Sequence, residues 1–200
     1  MTRLQFKFLL LIAVLALSAG ASAQEKVIFA TTAKAQAGQG GFYQALADGT
    51  YTQYGLSVEI RQGGPEVNNQ PLLAAGKVDF LMTGKLSGSD DSGRNGAPTV
   101  VVASIFQKDA RFTDLPDTGF STYAASIQTR ADTARNKPET VRKFVHASIL
   151  GWTHYLYGDN RAANELIKRA NPDVTDADLA AAIAVMKKLG LAAGGESAAR

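Results

Sequence analysis

Residues 26–82 decide the fold, because three short apolar segments alternate there with helical patterns. The apolar segments are KVIFAT at residues 26–31, LSVEI at residues 56–60 and VDFLM at residues 78–82. Short runs rich in β-branched and aromatic residues are typical of buried strands. FYQALA at residues 42–47 and the segment at residues 68–75, with Pro71 in its first turn, favour helices. This alternation predicts an α/β domain with a mainly parallel sheet flanked by helices.

The same pattern continues toward the C-terminus. TVVVASIF at residues 99–106 predicts a further strand, and residues 120–129 can form another. Pro138 opens a long helical pattern, in which apolar residues recur at helical spacing through Trp152. Thr175 and Asp178 resemble a capping box, which predicts a last helix through about residue 189. We expect the small, polar residues 191–200 to form a flexible tail.

The N-terminus has the pattern of a cleavable signal peptide. Arg3 and Lys7 precede an unbroken apolar run at residues 8–17, and Ala21-Ser22-Ala23 fits the small-x-small cleavage rule. The run is too short to span a bilayer, and a retained anchor is the alternative interpretation. The sequence therefore predicts a leader at residues 1–23 and a mature domain at residues 24–190, periplasmic and not inserted in the membrane.

Composition excludes several classes of function. The chain has 21 basic and 18 acidic side chains, and loss of Arg3 and Lys7 leaves an excess of about one positive charge, which does not favour nucleic acid as a partner. The chain contains no cysteine, so thiol catalysis, thiolate metal sites and iron–sulfur clusters are excluded. His146 and His154 lie about 80° apart around one predicted helix, which is poor spacing for a shared metal.

Polar loops follow each of the first three predicted strands. They occupy residues 31–41, 61–68 and 83–87, and all are rich in Gly, Ser, Thr, Asn or Gln. Ligands of parallel α/β sheets bind beyond the carboxyl ends of the strands. We therefore expect the three loops to form one binding edge that offers hydrogen-bonding groups without concentrated charge.

Several ordered motifs resemble one protein family. GGFYQALADGTYTQYGLSVEI at residues 40–60 and GGPEVNNQPLLAAGKVDFLMTG at residues 63–84 look like the first lobe of periplasmic substrate-binding proteins of ABC importers. The branch is the one that handles sulfonates, nitrate and thiamine-precursor pyrimidines, with a type II fold. Segments near residues 99–109 and 119–130 resemble the two crossings between the lobes, and residues 136–152 resemble the long helix that follows.

The resemblance implies a two-lobed fold that closes on a ligand and presents it to a membrane permease. Only residues 110–118 separate the two crossing segments, where a family member places most of its second lobe. The expected architecture is therefore one α/β lobe with the second lobe largely missing. We expect a monomer that binds a small organic or anionic solute, without cofactor or metal.

The candidate ligand-binding residues come from the loops, the crossing segments and the resemblance. Gly40, Gly41 and Phe42 offer backbone N–H groups at a helix start, although a plain strand–helix connection also uses glycine there. Asn68 either caps the next helix or contacts a ligand. The full set is Lys34, Gly40, Gly41, Phe42, Tyr43, Gly63, Gly64, Asn68, Thr83, Gly84, Ser87, Gln107 and Tyr123.

Some of these assignments leave two interpretations open. Tyr43 and Tyr123 either stack on a ligand ring or pack in the core. Gln107, at a crossing strand, is either a hinge residue or a ligand contact. For the whole chain, the alternatives to a transport receptor are a remnant that folds without transporting and an enzyme similar to thiamine-pyrimidine synthase. The enzyme is disfavoured by the leader and by the absence of the cysteine-rich motif that the resemblance would imply.

Overall fold

The computed structural model describes residues 23–31, 33–64, 66–83, 98–106 and 125–190. Several predicted segments lie outside these ranges: most of the leader, the tail, and residues 107–109 and 119–124 of the crossing segments. Four predicted site residues also lie outside them, namely Gly84, Ser87, Gln107 and Tyr123. None of the helices in the described ranges combines the length and the apolar character needed to cross a bilayer.

The described residues form one five-stranded sheet. Its strands are β1 (Glu25–Ala30), β2 (Leu56–Arg61), β3 (Phe80–Thr83), β4 (Thr99–Phe106) and β5 (Ala125–Arg130), in the order β2-β1-β3-β5-β4. β1 pairs in parallel with β2 and β3, and β5 is antiparallel to both of its neighbours. Four strands therefore point the same way, which confirms the mainly parallel α/β sheet, and β5 alone is reversed.

The described residues also form seven helices. They are α1 (Gly40–Ala47), which follows a 3-10 turn at Ala37–Gln39, then α2 (Thr50–Gln53), α3 (Gln70–Ala74), α4 (Ala131–Asn136), α5 (Pro138–Tyr157), α6 (Arg161–Ala170) and α7 (Asp176–Leu189). Helices α1 and α5 cover one face of the sheet, and α3 covers part of the other face around Ala30 and Leu81. The expected capping box of Thr175 and Asp178 opens α7. Helix α6 lies in the C-terminal third, which the sequence predicts to be helical, but the pattern did not delimit it as a separate helix.

Strand β3 begins two residues later than expected, because the side chain of Asp79 takes the place of a backbone hydrogen-bond partner between β1 and β3. The carboxylate of Asp79 accepts the N–H of Ile28 at 2.8 Å, and the N–H of Asp79 donates to the Ile28 carbonyl at 2.8 Å. The Thr129 hydroxyl then donates to the Asp79 carbonyl at 2.7 Å. Asp79 thus joins β1, β3 and β5 at the edge opposite the predicted site.

The main core is aromatic and lies between the sheet and helix α5. The ring of Phe144 stacks on Phe80 with centroids 4.2 Å apart and on Tyr51 at 5.5 Å. Phe29 and Phe42 add a tilted pair at 4.4 Å. These rings bury large apolar areas from the strand and helix sides together, which makes α5 an integral part of the lobe.

Candidate functional site

The loops after β1 and β2 meet at the carboxyl edge of the sheet. Thr31 donates its N–H to the Arg61 carbonyl at 2.9 Å, which extends the parallel pairing by one residue. Gly63 then donates its N–H to the Ala33 carbonyl at 3.1 Å. Because β3 runs parallel to β1 with Ala30 opposite Leu81, Thr83 ends at the same edge. This edge therefore brings together residues from the first two predicted loops and the start of the third.

Asn69 ties this edge to the start of helix α3. Its side chain is almost fully buried, and its Nδ2 donates to the Thr31 carbonyl at 2.7 Å. The Oδ1 atom is buried and has no hydrogen-bond partner in the part of the chain that the structure describes. A buried amide with one free acceptor is costly, so Asn69 is a structural anchor with unused hydrogen-bonding capacity. The sequence analysis selected its neighbour Asn68 instead.

The side chain of Asn68 has the capping role that was one of its two interpretations. Its Oδ1 accepts the N–H of Gln70 at 3.1 Å, which covers one of the free donors at the start of α3. The residue is exposed, so the side-chain amide nitrogen still faces solvent at the edge. Capping and ligand contact are thus compatible at this position.

Gln62 holds the loop after β1 against the C-terminal helices. Its Oε1 accepts the N–H of Ala35 at 3.0 Å, and its Nε2 donates to the Ala170 carbonyl at 2.9 Å. Asn171 Nδ2 donates to the carbonyl of the same Ala35 at 2.8 Å. The N–H and the carbonyl of Ala35 therefore both have hydrogen bonds to amide side chains. These bonds hold the loop in place although it forms neither a helix nor a strand at this point. Sequence spacing gives no signal for these contacts, since Gln62 and Ala170 are 108 residues apart and Asn171 and Ala35 are 136 residues apart.

Lys34, the charged residue among the predicted site residues, is paired with a carboxylate at this edge. Lys34 Nζ lies 3.1 Å from Asp173 Oδ2, and both side chains are more than half exposed. An exposed ion pair of this kind contributes little to stability. The carboxylate of Asp173 nevertheless reduces the positive electrostatic field of Lys34, the one charged residue in the predicted site set. The edge thus offers mainly amide, hydroxyl and backbone groups, as expected.

The helix start at Gly40 differs from the expected cluster of free N–H groups. The 3-10 turn before α1 uses the Gly40 N–H, which donates to the Ala37 carbonyl. A Cβ atom at Gly40 would lie 2.0 Å from the ring of Tyr155, and one at Gly41 would lie 2.3 Å from the ring of Trp152. The two glycines therefore let α1 pack closely on α5, a role that the sequence analysis did not foresee.

The other expected site residues lie at different depths around the edge. Phe42 is fully buried in the aromatic core, and Tyr43 is also buried, which raises the pKa of its hydroxyl through desolvation. Gly63 is buried and Gly64 is half-buried, with Lys34 as its nearest side-chain neighbour. Thr83 is half-buried at the end of β3. Lys34, Gly63, Gly64, Asn68 and Thr83 remain the best-placed of the described candidates for contact with a ligand.

No group of histidine and carboxylate side chains suited to a metal ion occurs in the described ranges. His154 pairs instead with Asp48, whose Oδ2 lies 2.9 Å from the histidine Nδ1. Burial alone would raise the pKa of Asp48, but hydrogen bonds from Thr50 and His154 outweigh it and lower that pKa. The pair joins α5 to the α1–α2 corner, away from the carboxyl edge.

A shallow groove of about 280 Å³ lies elsewhere on the lobe, between strand β4 and helices α4 and α5. Because β5 is antiparallel, the helices that follow it start at the edge opposite the predicted site. None of the predicted site residues lines this groove, whose lining is Val102, Ala134, Pro138, Val141, Arg142, Val145 and His146.

The sheet order, its flanking helices and its polar carboxyl edge define a periplasmic-binding-protein-like lobe. One similar solved structure is a conserved gene product of Candida albicans, described as defining a new family of proteins with the generic periplasmic binding protein structural fold. It is 13% identical, with a TM-score of 0.56 and 78% of each chain covered. At this identity the similarity establishes the fold alone.

The sequence comparison finds one similar family. Residues 36–112 match the family model described as NMT1/THI5 like. The matched region includes the loop after β2 and, from residue 36 onward, the end of the loop after β1. No curated protein matches the sequence significantly.

Proposed function

We propose that this protein is the extracytoplasmic solute-binding component of an ABC importer, which takes up a small solute at the carboxyl edge and delivers it to a membrane permease. The observation that carries the proposal is the junction of the loops after β1 and β2, through the Gly63–Ala33 backbone hydrogen bond. It assembles the polar residues of two loops at the edge where α/β sheets bind ligands. The fold and the NMT1/THI5-like match support the same assignment.

The chemistry of the described edge favours a solute that is recognised by hydrogen bonds. Lys34 is the charged candidate residue, and Asp173 offsets its charge. Asn68 and Thr83 add an amide and a hydroxyl. A pyrimidine-like compound, or a small sulfonate or nitrate held by Lys34, fits these groups better than a multiply charged anion. We propose binding rather than catalysis, because the gathered groups are donors and acceptors without a nucleophile–base pair.

Calorimetry with the chain from residue 24 onward tests this function. The probes are nitrate, small alkyl sulfonates and an aminopyrimidine bearing a hydroxymethyl group. One of them should bind saturably, and at about 100 times its dissociation constant it should stabilise the fold by about 2.7 kcal/mol. A folded protein that binds none of them contradicts the receptor assignment and favours the non-transporting remnant.

A matched pair of lysine variants locates the site. Lys34→Ala should weaken probe binding, whereas Lys26→Ala should leave it unchanged. Lys26 is also an exposed lysine paired with a carboxylate, Glu59, at 3.5 Å, but it lies near the start of β1, at the opposite edge. Equal effects of the two substitutions would place the ligand away from the carboxyl edge.

A further inference from the structure

We propose that Ser126 and Gln128 of strand β5 extend the carboxyl-edge site and bind a hydrogen-bond donor group of the solute. The inference rests on the proposed function and adds two residues to its site. Neither residue belongs to the set that the sequence predicted, because their place in the site depends on the register between β3 and β5. The two residues are called the β5 polar pair.

The β5 polar pair begins at the carboxyl edge of the sheet. Strand β5 starts there at Ala125, because it runs antiparallel to β3, and Ser126 lies directly opposite Thr83 at the end of β3. Residues directly opposite each other on neighbouring strands share one face, with Cβ atoms about 4.5–5.5 Å apart. Thr83 is half-buried and already belongs to the candidate site. Ser126 is therefore its neighbour, and Gln128 follows two residues further along the same face.

The β5 polar pair faces the side of the sheet that carries helix α3. Gln128 lies opposite Leu81, and Leu81 belongs to one core cluster with Leu73 of α3. Ile127, between the two members of the pair, points to the other face and joins the main core. A strand that is buried on both faces normally reads as a continuous apolar run. Packing alone therefore does not explain two polar side chains at these positions.

Both side chains of the pair are almost fully buried, and each carries an unpaired polar atom. Ser126 is 2% exposed and Gln128 is 1% exposed. Neither Ser126 Oγ nor Gln128 Oε1 has a hydrogen-bond partner within the described ranges. A buried polar atom without a partner costs free energy, so native proteins nearly always supply one. In a solute-binding protein, the solute can be that partner.

The unpaired atoms select the polar groups of the solute. A glutamine Oε1 atom only accepts hydrogen bonds, whereas a serine hydroxyl both donates and accepts. The pair therefore suits an N–H or O–H group of the solute. Asn69 Oδ1, which is also buried without a partner among the described residues, has the same requirement. Nitrate and a simple alkyl sulfonate have only acceptors, so they cannot satisfy Gln128 Oε1.

Calorimetry with the chain from residue 24 onward tests the pair. The probes are nitrate, methanesulfonate and the aminopyrimidine bearing a hydroxymethyl group. The aminopyrimidine should bind, and the two anions should not. Gln128→Met should weaken binding of the aminopyrimidine by at least about tenfold, because the solute loses a buried acceptor. Ser126→Ala should weaken it as well.

The melting temperature separates a binding role from a structural one. Methionine has nearly the shape of glutamine but no strong acceptor, so Gln128→Met removes an unpaired buried atom without leaving a large cavity. The variant without solute should therefore melt at the same temperature as the wild type or at a higher one. Gln53→Met is the matched control, because Gln53 is exposed on α2. It should change neither the melting temperature nor the binding.

The outcomes separate this inference from the function on which it rests. Binding of the aminopyrimidine that Gln128→Met weakens, at an unreduced melting temperature, supports the pair. Binding of an anion instead, or binding of any probe that Gln128→Met leaves unchanged, overturns the pair and leaves the receptor function standing. A lower melting temperature of Gln128→Met, or an equal loss of binding in Gln53→Met, also overturns it. A folded protein that binds no probe contradicts the receptor function, and the pair fails with it.

Discussion

Substitution of Gly151 by alanine should destabilise the lobe, although alanine favours helices. Gly151 lies inside α5, where it faces α1. An added Cβ would lie 2.2 Å from the Gly41 carbonyl oxygen and 2.7 Å from the Ala45 Cβ. Since a carbon and a carbonyl oxygen approach to about 3.3 Å at closest, the two helices must move apart by about 1 Å.

The magnitude follows from two opposing effects. Overpacking costs about 1–3 kcal/mol, and a clash with a backbone oxygen, which cannot rotate away, falls in the upper part of that range, at about 2–3 kcal/mol. The higher helix propensity of alanine offsets about 1 kcal/mol of this cost. The separation also disturbs Trp152, whose ring lies 6.0 Å from those of Phe42 and Tyr155 in edge-on geometry. We therefore expect a net loss of about 1–2 kcal/mol, which lowers the melting temperature by about 2–8 °C in a chain of this size.

Urea denaturation followed by far-ultraviolet circular dichroism measures this change. Gly38→Ala is the control, because no atom lies within 4 Å of the Cβ position at Gly38. It should change stability by no more than about 0.5 kcal/mol, as surface substitutions usually do. If Gly151→Ala is as stable as the wild type or more stable, α1 and α5 do not cross as closely as the structure shows, and the packing argument fails.

Two further predictions concern the edges of the sheet. Asn69→Leu should cost about 1–3 kcal/mol in urea denaturation because the Thr31 carbonyl loses its donor in a buried site; unchanged stability would show that this bond contributes nothing. Glu25 has a lowered pKa, first through a 2.7 Å hydrogen bond from the Thr140 hydroxyl, so the stability it contributes is complete above its ordinary pKa and is lost as pH falls below that value. Thr140→Val should raise the pKa of Glu25 toward its ordinary value in an NMR titration, and an unaltered titration would assign the shift to Lys137 instead.

The fold class followed from local patterns. Short apolar runs rich in β-branched residues mark β1, β2 and β4, because a strand that is buried on both faces needs apolar side chains on both. Gly55 and Gly63 also mark the turns on either side of β2. The sequence also predicted the starts of two helices, α5 at Pro138 and α7 at the capping box of Thr175 and Asp178. Both signals depend only on residues within one helical turn. The sequence by itself therefore determined the order of most strands and helices and the polar character of the loops.

The tertiary structure alone decided which of these residues meet. Gly40 and Gly41 seemed suited to a ligand, yet their missing Cβ atoms make room for Tyr155 and Trp152, more than 100 residues away. Gln62 and Asn171 showed no motif, yet they hold Ala35 from two distant segments. Hydrogen bonds and close packing of this kind depend on distances between segments, which the spacing of residues along a chain does not encode.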